Sequence, residues 1–249
     1  MKKIIAGIPN SITLLNLISG MMAIVFAVDG QLGWAGFFIC TASVFDFADG
    51  MAAKLLNARS ETGKQLDSLA DIVSFGVAPG LILYSLLELT LYGKNQIVFE
   101  LVTKWYNWLI MFSAFLLPVF AAIRLARFNT DEPGRPYFEG LPTPANALLW
   151  ASFGLMVEFP EHVEFLKHLF TTRNLLIMAG LTSILMVSTL PMFSLKLKSL
   201  NLIENWYKFS FFVLGAVLLL IFNVYAIAML VGLYVLFSTV FYLSGYKFK

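Results

Sequence analysis

The chain has 249 residues, 59% of them hydrophobic and 13% charged, with a formal net charge of +2 at pH 7 and a mean hydropathy of +0.80. A soluble domain is roughly 45–50% apolar and about 25% charged, so the apolar excess belongs to lipid. Cys40 is the single cysteine, which excludes an internal disulfide and any cysteine-rich zinc site; no nucleic-acid partner is expected.

In chain order, Met1-Lys2-Lys3 followed by an apolar run has the outline of a signal peptide. The run is long, contains Asn10 and Asn16, and shows no small-x-small cleavage site before the next span, so a retained first span is expected. Eight apolar segments lie near the ~20 residues a bilayer requires: roughly 10–28, 32–55, 67–90, 106–128, 141–159, 174–191, 207–222 and 225–244. Pro142 and Pro144 fit the first turn of the fifth. His162 and His168 stand six apart, a poor spacing for one helical face. The last two segments meet at Asn223, either as a tight helical hairpin or as one long re-entrant element. No Gly/Ser-rich or Pro-rich linker and no internal repeat divides the chain. One integral-membrane domain over 1–249 is expected, an all-α, polytopic helical bundle of about eight transmembrane helices.

With eight spans, both termini share one side with the 56–66, 129–140 and 192–206 connections. That side holds all of the 17 Lys and Arg except Lys94, Lys104, Lys167 and Arg173. The positive-inside rule therefore places both termini and the 56–66 loop in the cytosol, with the cytoplasmic membrane as the setting. Trp34, Trp105, Trp108, Trp150 and Trp206 fall near the expected span ends, as interfacial anchors do.

Four aspartates break the apolar pattern. Asp46 and Asp49 lie in Asp46-Phe47-Ala48-Asp49-Gly50-Met51-Ala52-Ala53-Lys54, and Asp67 and Asp71 in Gly63-Lys64-Gln65-Leu66-Asp67-Ser68-Leu69-Ala70-Asp71. A charged side chain in a bilayer core costs about 2.5–3.5 kcal/mol on insertion scales. Four of them on adjoining spans demand compensation, which two divalent cations would supply. Asp46 and Asp49 share a face near the cytosolic end of the second span, and Asp67 and Asp71 share one just after the cytosolic start of the third. The connecting loop is short, so the two spans form an antiparallel hairpin. At 1.5 Å per residue, Asp46 lies about 12 Å deeper than Lys54 and Asp71 about 6 Å deeper than Asp67; both pairs occupy a shallow layer below the cytosolic surface. Gly50 and Ala53, on or beside the face of the first pair, leave room for a bulky ligand or a close helix. Carboxylate oxygens suit hard cations such as Mg²⁺ or Mn²⁺, and a two-metal site stabilises the attacking and leaving oxygens of an in-line displacement. Asp71, at the deep end, would be free to take a proton from an incoming hydroxyl. Any one aspartate at a helix end is ordinarily a solvated cap. Four in register with Gly50, Ala53 and Gly63 point instead to metal-dependent chemistry on a phosphate ester.

This spacing resembles the signature of the CDP-alcohol phosphotransferases, D-x2-D-G-x2-A-R-x8-G-x3-D-x3-D. Asp46, Asp49, Gly50, Ala53, Gly63, Asp67 and Asp71 match it, and Lys54 stands where the family has arginine. Lysine keeps the charge but loses the bidentate fork, which bears on how that position holds a phosphate and not on the reaction class. The resemblance implies the CDP-alcohol phosphotransferase fold and a CDP-linked lipid substrate. It assigns Asp46, Asp49 and Asp67 to the metal pair, makes Asp71 the general base and a further metal contact, and lines the CDP pocket with Gly50, Lys54, Ser60 and Gly63. Relatives in the family are often dimers, so a homodimer is a further expectation.

The stretches Pro9–Gly20, Lys64–Pro79, Arg124–Asn129 and Phe138–Ala145 resemble the bacterial and archaeal phosphatidylserine synthases of this family; the resemblance covers residues 9 to about 145, and the last hundred residues match in hydropathy only. That narrower resemblance implies CDP-diacylglycerol and L-serine, among membrane lipids, giving phosphatidylserine and CMP. Arg124 and Arg127, at i, i+3, share a face at the cytosolic end of the fourth span. They could bind the serine carboxylate or a lipid phosphate, or be ordinary positive-inside flanks. Asn129 reads as a helix end cap or a polar ligand for the acceptor, and Asn10 and Asn16 as caps or interhelical hydrogen bonds. Two alternatives stand beside this reading. One is a sister transferase using inositol phosphate, glycerol phosphate or choline. The other is a cation-coupled transporter, since intramembrane carboxylates also mark ion pathways; such proteins place them near the midplane within inverted repeats, and this chain has one shallow cluster and no repeat.

Overall fold

The structure, a computed structural model, describes residues 2–58, 60–93, 104–130, 137–193 and 206–244. Each of the eight apolar segments is helical. α1 (Lys2–Val28) and α2 (Leu32–Leu55) form a hairpin through Gly30, whose φ of +75° suits a residue without Cβ. A second turn passes through Asn57 at φ +48° into α3 (Glu61–Asp71). α3 runs through one π-helical turn, Ile72–Val77, into α4 (Ala78–Tyr92). Together these make one apolar helix of 32 residues. α5 (Trp105–Phe112), a 3-10 turn at Ser113–Phe115 and α6 (Leu116–Thr130) make another of 26. There follow α7 (Thr143–Glu158), then the short α8 (Val163–Leu169), bent by 65° against α9 (Thr172–Val187). α10 (Trp206–Phe222) and α11 (Tyr225–Leu243) close the chain as a tight hairpin, not a single re-entrant element, with Asn223 at φ +47° in the turn.

Among the described residues five helices are long and apolar enough to cross a bilayer, or six if the bent α8–α9 pair is one span. The expected eight is therefore not met by length: α7 and α9 have 16 residues each and α10 has 17, about 24–26 Å at 1.5 Å per residue. Contacts nevertheless alternate the segment ends between two faces. On one face Lys64 Nζ donates to the Asn129 carbonyl, and Trp206 packs on Phe241. On the other Thr90 Oγ1 meets Thr172 Oγ1, and Asn223 Nδ2 donates to Glu161 Oε1. The 56–66 and 129–140 connections thus meet on a single face, as the charge pattern requires. Arg59, Lys94, Arg135, Lys196, Lys198, Lys247 and Lys249, on which that pattern also drew, lie outside the described residues, as do the side chains of Lys2 and Lys3.

One departure from an all-helical bundle stands on the first face. β1 (Tyr137–Glu139) pairs antiparallel with β2 (Pro191–Phe193), Phe138 opposite Met192. Three-residue strands leave no periodic trace in a sequence, which is why the helical pattern did not foretell them.

The core sits around α7, where Trp150 and Phe153 are buried together with Ile82, Leu83, Leu86 and Leu87 of α4. Trp150 is thus a packing residue rather than an interfacial anchor, whereas Trp34, Trp105 and Trp206 are all more than half exposed. In lipid, close packing rather than hydrophobic burial drives helix association, and small residues permit it. α2 and α7 cross on glycines: a Cβ on Gly36 would come within 2.4 Å of the Ala151 carbonyl, and one on Gly154 within 2.4 Å of the Leu32 carbonyl. That crossing fixes the first half of α2 and so the angle at which its second half carries Asp46 and Asp49.

Candidate active site

The α2–α3 hairpin brings its two aspartate pairs together. Ser60 caps α3, its Oγ accepting from the Gly63 amide at 3.0 Å, a bond that anchors the first turn of a helix. Gly63 lets α1 approach, since a Cβ there would lie 3.0 Å from Asn10 Oδ1. Oxygens of Asp46, Asp49 and Asp67 all lie within 4.8 Å of one another. Asp49 is buried, and its Oδ2 has no hydrogen-bond donor among the described residues. A buried carboxylate oxygen facing two further carboxylates is unfavourable unless a cation joins them. The oxygen-only donor set fits a hard divalent ion.

Asp71 lies outside that triad but within electrostatic reach of all three members. It is 8% exposed, and Asn16 of α1 donates from Nδ2 to its Oδ1 at 3.2 Å. Of the two readings open for Asn16, the interhelical hydrogen bond is the one observed.

A cavity of about 490 Å³ opens beside the triad, in the size range of small-molecule sites. α1 lines it with Pro9, Asn10 and Thr13, α2 with Asp49, Gly50 and Ala53, the turn with Ala58 and Ser60, and α3 with Glu61, Gly63, Lys64 and Asp67. Gly50, Ser60 and Gly63 of the expected CDP pocket are therefore on its wall. Lys54 is not: it is exposed near the end of α2, and Lys64 supplies the cation that lines the cavity instead. The contribution of α1 was missed in the sequence, although Asn10, Thr13 and Asn16, at three-residue spacing in an apolar span, are a polar stripe that helical geometry puts on one side.

The other expected residues hold the frame. Arg124 is buried, and its Nη1 donates to the carbonyls of Glu139 (2.5 Å) and Met186 (3.2 Å); Arg127 Nη1 donates to Val187 O at 2.9 Å. The pair thus ties the end of α6 to β1 and to the end of α9, more than a mere flank and apart from the cavity wall. Asn129 Nδ2 donates to Ser68 Oγ at 2.7 Å while its carbonyl accepts from Lys64 Nζ at 3.0 Å. These two bonds dock the end of α6 against the helix that carries Asp67 and Asp71.

Residues 6–186 match the family model of the CDP-alcohol phosphatidyltransferases. Among curated relatives, the chain is 32% identical over 187 residues to the CDP-diacylglycerol–serine O-phosphatidyltransferase of Mycobacterium tuberculosis (strain CDC 1551 / Oshkosh), covering 70% of this chain and 59% of that protein. It is 36% identical over 137 residues to the protein of the same name from Bacillus subtilis (strain 168), covering 55% of this chain and 69% of the relative. It is 32% identical over 158 residues to the archaetidylserine synthase of Methanothermobacter thermautotrophicus, covering 62% and 60%. The chain thus spans less than two thirds of the length of its mycobacterial relatives.

Proposed function

The chain belongs to the CDP-alcohol phosphatidyltransferase family, and from that membership we propose that it transfers a phosphatidyl group from CDP-diacylglycerol to L-serine, giving phosphatidylserine and CMP. The observation that carries the reaction class is the convergence of Asp46, Asp49 and Asp67 beside a cavity of nucleotide size. For the acceptor, support comes from the relatives: their names differ in the lipid, phosphatidyl or archaetidyl, and share serine.

The family is metal-dependent, and Asp46, Asp49 and Asp67, with Asp71 as a further contact, would hold two Mg²⁺ or Mn²⁺ ions. When bound, these supply positive charge against the diphosphate and the departing CMP. In this reading Gly50 and Gly63 give the cytidine diphosphate room, Ser60 and Lys64 face its phosphates from the wall, and Lys54 reaches them from the rim. Asp71 accepts the proton of the serine hydroxyl. That oxygen bonds to the phosphorus bearing diacylglycerol, the bond from the same phosphorus to the bridging oxygen breaks, and CMP leaves. Arg127, exposed and using one nitrogen on Val187, retains donors for the serine carboxylate; Arg124 and Asn129 support it by holding α6. The protein works as one domain over 1–249 in the cytoplasmic membrane, with the cavity and both termini toward the cytosol, and as a homodimer. Lipid chains enter between helices and serine arrives from water.

The test is CMP release by the detergent-purified chain, supplied with CDP-diacylglycerol, Mg²⁺ or Mn²⁺, and one acceptor at a time. Release with serine alone, abolished by EDTA and reduced about 10²–10⁴-fold in Asp71→Asn, is the expected result. Release with inositol phosphate, glycerol phosphate or choline instead would keep the reaction class and remove the serine assignment.

A further inference from the structure

Asn16 is fully buried on α1 and contributes nothing to the cavity wall, yet two bonds tie it to the segment that carries Asp71. Its Nδ2 donates to Asp71 Oδ1 at 3.2 Å, and its main-chain carbonyl accepts from Ser74 Oγ at 3.1 Å. Ser74 stands in the π-helical turn that begins one residue after Asp71. Gly20, one turn further along α1, allows that approach, because a Cβ there would lie 2.8 Å from Ser74 Cα. α1 therefore grips the same helix on both sides of the peptide that follows Asp71, once through a side chain and once through the backbone.

The chemistry of Asp71 gives this grip a purpose. The terminal torsion of an aspartate is broad and roughly two-fold, so packing alone does not decide which oxygen faces a substrate. Asp46, Asp49 and Asp67 all repel the Asp71 carboxylate, and repulsion gives no single direction. A directed N–H bond to one oxygen does.

We propose that Asn16 is a positioning residue for Asp71, holding Oδ1 so that Oδ2 is presented to the hydroxyl of the acceptor alcohol. The assignment rests on the reading of Asp71 as the proton acceptor. It separates Asp71 from the other three aspartates: they converge on one another, whereas Asp71 is fixed to the first helix and turned toward the acceptor. Small misplacements of a reacting group lower turnover strongly while leaving substrate binding intact, so the signature lies in kcat and not in KM.

The experiment uses the full chain in detergent with CDP-diacylglycerol, serine and Mn²⁺, comparing wild type with Asn16→Leu, Asn16→Ala and Asn16→His. Asn16→Leu keeps the size and removes the N–H without adding a charge; Asn16→His restores a ring N–H near the place of Nδ2. The expected result is a fall in kcat of about ten- to a hundredfold for the leucine and alanine variants, the scale of lost orientation, with both KM values and the melting temperature held near wild type. The histidine variant should recover part of the loss. Should the alanine variant fail to fold, the leucine and histidine variants carry the comparison. Wild-type kcat in Asn16→Leu, or a change confined to KM, would overturn the assignment while leaving the transferase reading in place. Wild-type protein that releases no CMP with any acceptor would bring down the transferase reading, and the assignment with it.

Discussion

Two pairs of like charges sit at i, i+3 in helices that meet the same face of the bundle, Asp46 and Asp49 on α2 and Arg124 and Arg127 on α6. Their surroundings differ. The arginines find main-chain carbonyls of β1 and α9 already in place. The aspartates find a third carboxylate, and Asp49 keeps a buried oxygen with no donor among the described residues. A buried charge seated on main-chain carbonyls is architecture. A buried carboxylate oxygen that faces further carboxylates is a seat for something that arrives later. Spacing alone did not distinguish the two.

Substitution should separate them cleanly. The largest effect belongs to the carboxylates: Asp49→Asn or Asp67→Asn should reduce serine-dependent CMP release to background. The melting temperature without metal should hold or rise, because one of three crowded like charges is gone. A variant that loses activity only by unfolding would break the comparison. Next comes Arg124→Met, which leaves the Glu139 and Met186 carbonyls without that donor, at about 1–3 kcal/mol each. It should lower the melting temperature and the yield while turnover per folded molecule stays within a few-fold; a folded variant without turnover would move Arg124 into the chemistry. The smallest contrast is between two lysines. Lys64→Ala should raise KM for CDP-diacylglycerol by several-fold, since Lys64 lines the cavity, and Lys54→Ala should change it less. The reverse order would restore Lys54 to the position that the family pattern gives its arginine.

Much of this was readable in the sequence because membranes enforce simple rules. A chain in lipid must satisfy its own backbone, which makes each apolar run a helix; the second span was bounded at 32–55 and α2 is Leu32–Leu55. The aspartate hairpin was legible for the same reason, since helical periodicity fixes which residues share a face. What stayed hidden was decided between segments distant in sequence. The bond from Asn16 to Asp71 joins residues 55 positions apart, and nothing local in α1 names its partner. The carbonyls that Arg124 holds belong to a three-residue strand and to a helix end, neither of which carries a side-chain signature. Lys64 lines the cavity and also donates to the Asn129 carbonyl, a tertiary contact that the spacing of the signature does not show.

The π-helical turn at Ile72–Val77 has a consequence for length rather than composition. A π turn closes i to i+5 bonds and so takes up one residue more than an α turn. Wound as α-helix with all six residues kept, the segment would advance by one residue too many, and each residue in an α-helix turns by about 100°. α4 would then swing by that angle against Asp67 and Asp71, carrying Ile82, Leu83, Leu86 and Leu87 away from α7. The π turn absorbs that residue, so a single deletion within it should leave α4 facing α7, whereas a single deletion in α3 or in α4 should leave the helix content by circular dichroism unchanged while melting and turnover both collapse. Between the carboxylates and the core, the protein counts residues as a gear counts teeth.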